Sequence, residues 1–85
     1  MNDVEISPHA REQMAERGAA EAEVLAAIRL GESEPARQGR MIFRKNFSSF
    51  SGRWRERRYR IKQVAPVVAR EGDRLIVATV YVFYF

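Results

Sequence analysis

Eighty-five residues, 46% of them hydrophobic and 11% aromatic, suffice for one domain (1–85) with one modest core and leave no room for a second. With no cysteine, disulfides, thiolate nucleophiles and zinc–thiolate sites are excluded, and the chain suits a reducing cytoplasm. The net charge of +4 is unevenly spread: residues 1–36 carry eight acids against three arginines, residues 37–62 carry ten arginines and lysines against Glu56 alone, and residues 63–85 balance.

The start Met-Asn-Asp-Val-Glu is acidic and has no apolar stretch of the kind a secretory leader needs. The longest apolar run, residues 75–82 broken by Thr79, is too short to span a bilayer. A soluble cytoplasmic protein without membrane insertion is the expectation.

In chain order, Val4-Glu5-Ile6 alternates as a short strand before Ser7-Pro8 punctuates it. Ser7 is a good N-cap, Pro8 fits the first helical position, and Gly18 stands where a left-handed residue would end a helix after Arg17. Ala10 and Met14 mark the buried stripe of that helix, and Arg17 continues it to the edge of the core, within reach of a phosphate or of a carbonyl. A second helix is predicted over residues 21–30, with Val24, Leu25 and Ile28 on one face and Gly31 as its stop. Its N-cap is weak, because Ala20 offers no side-chain oxygen, so its first turn depends on tertiary contacts.

A polar loop is predicted over residues 32–39, followed by an alternating strand over 40–47. Met41, Phe43, Lys45 and Phe47 face one side of that strand, and Arg40, Ile42, Arg44 and Asn46 the other. Residues 57–64 repeat the pattern, which lines up Arg58, Arg60 and Lys62 on one surface. Between them, residues 48–56 read as a hairpin loop able to clasp a single strand, with Trp54 either stacking on a base or buried in the core. Pro66 suggests a bulge or bend, Glu71-Gly72-Asp73 is a hairpin signal, and residues 75–84 are apolar on both faces, as a central strand would be. The predicted fold is α+β: a short N-terminal strand, two helices, then a three-stranded antiparallel sheet.

The basic block is interleaved with Phe43, Phe47, Phe50, Trp54 and Tyr59, the combination of phosphate-pairing cations and base-stacking rings used by nucleic-acid surfaces. The residues expected to bind are Arg40, Arg44, Arg53, Trp54, Arg55, Arg58, Arg60 and Lys62. The competing reading is a solvated β surface whose arginines serve solubility alone.

Ser7, His9, Ala10, Met14, Arg17 and Gly18 match the Ser-x-His-Ala...Met-x-x-Arg-Gly opening of a family of small uncharacterised bacterial domains. Such domains resemble the RelE/ParE-type toxin superfamily, grouped with barnase, EndoU and the colicin ribonucleases, and the order of elements here is similar across nearly the whole chain. The resemblance implies a RelE-like fold and either a ribonuclease toxin or a nucleic-acid-binding relative. Ala19-Ala20 departs from the polar cap often found before the second helix of that group.

Metal-independent RNA cleavage needs a proton acceptor for the 2′-hydroxyl and cations for the charge on phosphorus. His9, the single histidine, is the candidate base or acid, with Arg58, Arg60 and Lys62 as the electrostatic clamp, Arg17 as a further cation that could reach a phosphate, and Thr79 and Tyr81 as hydrogen-bond donors. The competing reading is ordinary packing or capping for His9 and ordinary β packing, which the β propensity of both types favours, for Thr79 and Tyr81. Thr79 and Tyr81 share a face, and strand register decides whether Arg60 joins them. No metal site and no cofactor is expected: one histidine and no cysteine do not make a transition-metal site, and neither a P-loop nor a dinucleotide fingerprint occurs.

The first reading is therefore a metal-independent ribonuclease of toxin type. Its alternatives are a noncatalytic nucleic-acid- or ribosome-binding module and a protein-interaction domain. For the last, the C-terminal aromatics of residues 81–85 would meet an antitoxin or a second copy as a homodimer.

Overall fold

The computed structural model describes residues 3–47, 53–54 and 57–85. Local signals set both helices. In α1 (Pro8–Arg17) the Ser7 hydroxyl accepts the Ala10 N–H at 3.1 Å, and Gly18, at φ 81°, ends the helix by donating its N–H to the Met14 carbonyl. In α2 (Glu21–Leu30) the bare Ala20 cap is compensated from within the helix: the Glu23 carboxylate accepts the Ala20 N–H at 2.9 Å. Gly31 ends α2 for a reason other than left-handed geometry. A Cβ there would stand 2.4 Å from the Ala27 carbonyl oxygen and 2.6 Å from that of Arg44, so the position is one of close backbone approach.

The sheet is larger than expected. Among the described residues, five strands run in the order β1 (Asp3–Ile6), β7 (Arg74–Tyr84), β6 (Lys62–Glu71), β3 (Met41–Phe47), β2 (Glu32–Pro35). The predicted three-stranded antiparallel sheet forms its centre, while β1 adds to β7 in parallel and β2 adds to β3 antiparallel, making a mixed sheet. The polar loop predicted over 32–39 thus contains an edge strand, all of it exposed and ending in proline, as suits an edge. β4 (Arg53–Trp54) and β5 (Arg57–Arg58) pair as a separate two-stranded ribbon. The strand predicted over 57–64 is therefore divided: β5 ends at Arg58, the chain bends at Arg60, and β6 begins at Lys62.

Both helices lie on one face of the sheet, α1 against β7 and α2 against β6 and β3. Ile6, Ala10, Met14, Val24, Val64, Val68, Val77 and Val80 form the core between the layers. Pro66 is fully buried in the central strand β6, and the β3–β6 ladder has no pairing at Pro66 and Ala65 because proline offers no N–H there. A bulge follows: Val67 pairs with Thr79 but Val68 pairs with Val77, leaving Ala78 as the extra residue in β7.

The bulge decides which side chains reach which face. Before it, Leu75 and Val77 point to the helices; after it, Val80, Val82 and Tyr84 do, and Thr79, Tyr81 and Phe83 turn to the face the helices leave open. Without the extra residue, Thr79 and Tyr81 would be directed into the core.

Candidate functional site

The open face carries a groove of about 470 Å³ between β7 and the turn that joins β2 to β3. Its floor carries the apolar Ile42 of β3 and Val67 of β6 beside Thr79 of β7, and its walls carry Arg37, Arg40, Arg44, Glu34 and Tyr81. The turn (Arg37–Gly39) reverses through two successive left-handed residues, Gln38 at φ 61° and Gly39 at φ 70°, and closes with the Ala36 N–H donating to the Arg40 carbonyl at 2.8 Å. That reversal sets Arg37 and Arg40 on either side of a tight corner at the rim of the groove.

Arg44 stands in the middle of the face. Its Nε donates to Glu34 at 3.3 Å and its Nη1 to Gln63 at 3.4 Å, which fixes the guanidinium between this groove and a smaller one of about 240 Å³ lined by Glu32, Ser33, Asn46 and Gln63. Among the described residues, three arginines against one carboxylate leave the larger groove net positive. With the Thr79 and Tyr81 hydroxyls as donors, the groove can bind an anion through charge-assisted hydrogen bonds above a largely apolar floor.

Of the residues singled out in the sequence, Arg40, Arg44, Thr79 and Tyr81 meet in this groove. Arg17 adjoins it: its guanidinium lies 5.5 Å from the Tyr81 ring centroid while Nη1 donates to the Val80 carbonyl at 2.7 Å. His9 is exposed in the first turn of α1, at the opposite end of that helix from Arg17, and does not line the groove. Arg60 is exposed beside the C-terminus, where its N–H donates to the Phe85 carbonyl at 2.8 Å.

Lys62 leaves the expected basic row. It is 6% exposed and turned toward the helices, where it pairs with Glu23 at 2.7 Å and donates to the Gly18 carbonyl. Its role there is to tie the α1–α2 corner to the start of β6. The alternation over 57–64 places Lys62 with Arg58 and Arg60 only in an unbroken strand, and the bend at Arg60 interrupts it. Arg55, and the side chains of Arg53, Trp54 and Arg58, lie outside the described residues.

Arg37, Glu34 and Phe83 were not singled out from the sequence. Arg37 and Glu34 fell in the supposed polar loop, and the signal that could have found them is the Gln38-Gly39 reversal immediately before an alternating strand. Phe83 carries no sequence signal beyond its place in the aromatic run of residues 81–85.

Residues 6–82 match the model of a family described as a domain of unknown function, DUF4258. The chain belongs to this family. No curated protein and no solved structure gives a match. The match runs from the end of β1 through Val82, so the DUF4258 domain includes both helices, the groove and the bulge that shapes it. Among its described residues no helix is long and apolar enough to cross a membrane, and no group of three histidine or acidic side chains is placed to hold a metal ion.

Proposed function

We propose that the DUF4258 domain binds RNA on the open face of its sheet, with the phosphates held by Arg37, Arg40 and Arg44. The observation that carries this reading is the convergence of three arginines from β3 and the turn before it on one groove, beside the exposed Tyr81 ring. Phosphate contacts of this type provide affinity and register without sequence preference. The acidic residues of α1 and α2 belong to the other layer of the molecule, so a polyanion approaches from the open side.

A second reading, metal-independent RNA cleavage of the RelE-like toxin type, is favoured by one specific feature. Glu34 is the carboxylate of the groove and shares it with the Thr79 and Tyr81 hydroxyls and Arg44, which together supply a proton acceptor, donors and a cation. With His9 outside the groove, cleavage would take its base from Glu34.

Incubating the purified protein with a labelled RNA in EDTA at low and moderate salt tests both readings. Salt-sensitive binding that weakens in Arg40→Ala and Arg44→Ala, with the RNA intact, supports the binding module; cleavage lost in Glu34→Gln but kept in His9→Ala supports the enzyme. Binding indifferent to Arg40 and Arg44, or absent at low salt, overturns the assignment of the groove, and an acidic protein partner then becomes the better fit to the same charges.

A further inference from the structure

We infer that the open face takes its nucleic acid single-stranded, with unpaired bases stacked on Tyr81 and Phe83. This inference rests on the RNA-binding reading and adds to it the conformation of the ligand and a residue outside the groove.

Tyr81 and Phe83 are two apart on β7, beyond the bulge, and project from the open face. Their ring centroids are 6.3 Å apart and their planes differ by 18°, so the rings stand nearly parallel. They remain 42% and 41% exposed, although Val80, Val82 and Tyr84 between and beside them pack into the helix layer. Opposite them on β6 stand Ala65 and Gln63, neither of them bulky enough to roof a ring. Tyr81 has the Arg17 guanidinium against it and a hydroxyl to keep it wet, whereas Phe83 has no polar group to explain its exposure.

Two near-parallel rings on alternate residues of one strand make a stacking platform of the kind that binds bases without regard to their identity. Arg44, on β3, lies two strands away across β6, roughly 10 Å at ordinary strand spacing. The face therefore presents rings along one strand and cations along another, an arrangement that follows a single polynucleotide with bases to β7 and phosphates to β3 and its turn. In a duplex both faces of each base are covered by neighbours, and the rings would find nothing to stack on.

The test measures fluorescence anisotropy of a labelled ten-residue uridine RNA, of an abasic ribose-phosphate chain of the same length and charge, and of a ten-base-pair RNA duplex. Wild-type protein is expected to bind the uridine chain at least about 5-fold more tightly than the abasic chain or the duplex, and Phe83→Leu is expected to lose about 5-fold or more on uridine RNA while leaving the abasic chain unaffected. Equal binding of uridine and abasic chains, or unchanged uridine binding in Phe83→Leu, overturns the platform; if Arg40→Ala still weakens all three probes, the RNA-binding reading survives that result. Failure of the wild type to bind any probe overturns both. The wild-type comparison of uridine with abasic chain keeps the inference testable even if a ring substitution unfolds the domain.

Discussion

Gln13 accepts the Val80 N–H at 2.8 Å from a buried position on α1, and Arg17 one turn later donates to the Val80 carbonyl at 2.7 Å. β1 pairs with β7 only as far as Val77, so among the described residues the outer edge of β7 has no neighbouring strand beyond that point. The two side chains supply the acceptor and donor that a strand would have offered, and α1 closes that part of the edge.

Gln13→Leu is expected to destabilise the domain by about 1–3 kcal/mol, because it keeps the side-chain bulk and leaves a buried N–H without its acceptor. In a domain of this size each kcal/mol corresponds to about 4–8 °C in Tm, so thermal unfolding followed by circular dichroism reads the effect directly. A Tm within 2 °C of wild type, on the order of the scatter for a neutral surface change, would show that water or a shifted helix replaces the bond.

Lys62 and Glu23 set two expectations against each other. As a phosphate contact on an exposed strand, Lys62→Met would weaken RNA binding and lower its salt dependence. As a buried tie to Glu23 and Gly18, it should cost about 1.5–3 kcal/mol of stability and leave the salt dependence unchanged. The same titration on Arg40→Ala should lower the slope of log affinity against log salt by about 1. Equal slopes for the two variants would return Lys62 to the binding surface.

The helices were legible because their signals are local: Ser7-Pro8 and Gly18 bracket the ten residues of α1, and Gly31 stops α2. The sheet was legible only in part. The partner of β1 is a strand about 70 residues away, and no local pattern encodes that pairing. β2 has the sequence Glu-Ser-Glu-Pro, which carries no strand propensity and pairs only because α2 ends beside Arg44 and delivers the chain to that edge. Residues 75–84 are apolar on both faces, with Ile76, Tyr81 and Phe83 opposite Val77, Val80 and Val82, so the shift of the core set's parity at Ala78 leaves no mark in the pattern and is invisible until register is known. Arg40, Arg44, Thr79 and Tyr81 were recognisable by residue type, whereas their convergence, and the company of Arg37 and Glu34, depended on that register and on the unrecognised edge strand.

Gly31 and Gly39 separate two uses of glycine. A methyl group at Gly31 meets backbone oxygens of both α2 and β3, which cannot rotate away, so Gly31→Ala should cost about 1–3 kcal/mol and disturb the β2–β3 pairing that frames the groove. At Gly39 the added methyl meets nothing within 4 Å and only the left-handed backbone at φ 70° opposes it, for about 1–2 kcal/mol. Denaturant unfolding gives both values, and RNA affinity distinguishes them further: Gly31→Ala should weaken binding through displaced Arg44 even where the protein remains folded. If Gly31→Ala proves neutral, the approach of α2 to β3 is looser than its geometry implies.

Glu34 gives the sharpest sign. It is 60% exposed at the side chain and its pairing with Arg44, itself 40% exposed, is a surface contact worth about 0–1 kcal/mol, so Glu34→Gln should leave stability nearly unchanged. Its effect on the groove should be larger, because the carboxylate both repels an incoming phosphate and occupies the guanidinium edge that the phosphate would use. Glu34→Gln is therefore expected to tighten RNA binding about 3- to 10-fold at low salt, roughly the range of one rearranged surface charge pair, and the gain should shrink as salt rises. Arg44→Ala should weaken binding and abolish that gain in the double variant, since the two substitutions act through one contact. Tighter binding by Glu34→Gln that persists without Arg44 would mean the carboxylate acts only through its charge. Weaker binding would mean that Glu34 holds Arg44 in the position the phosphate needs.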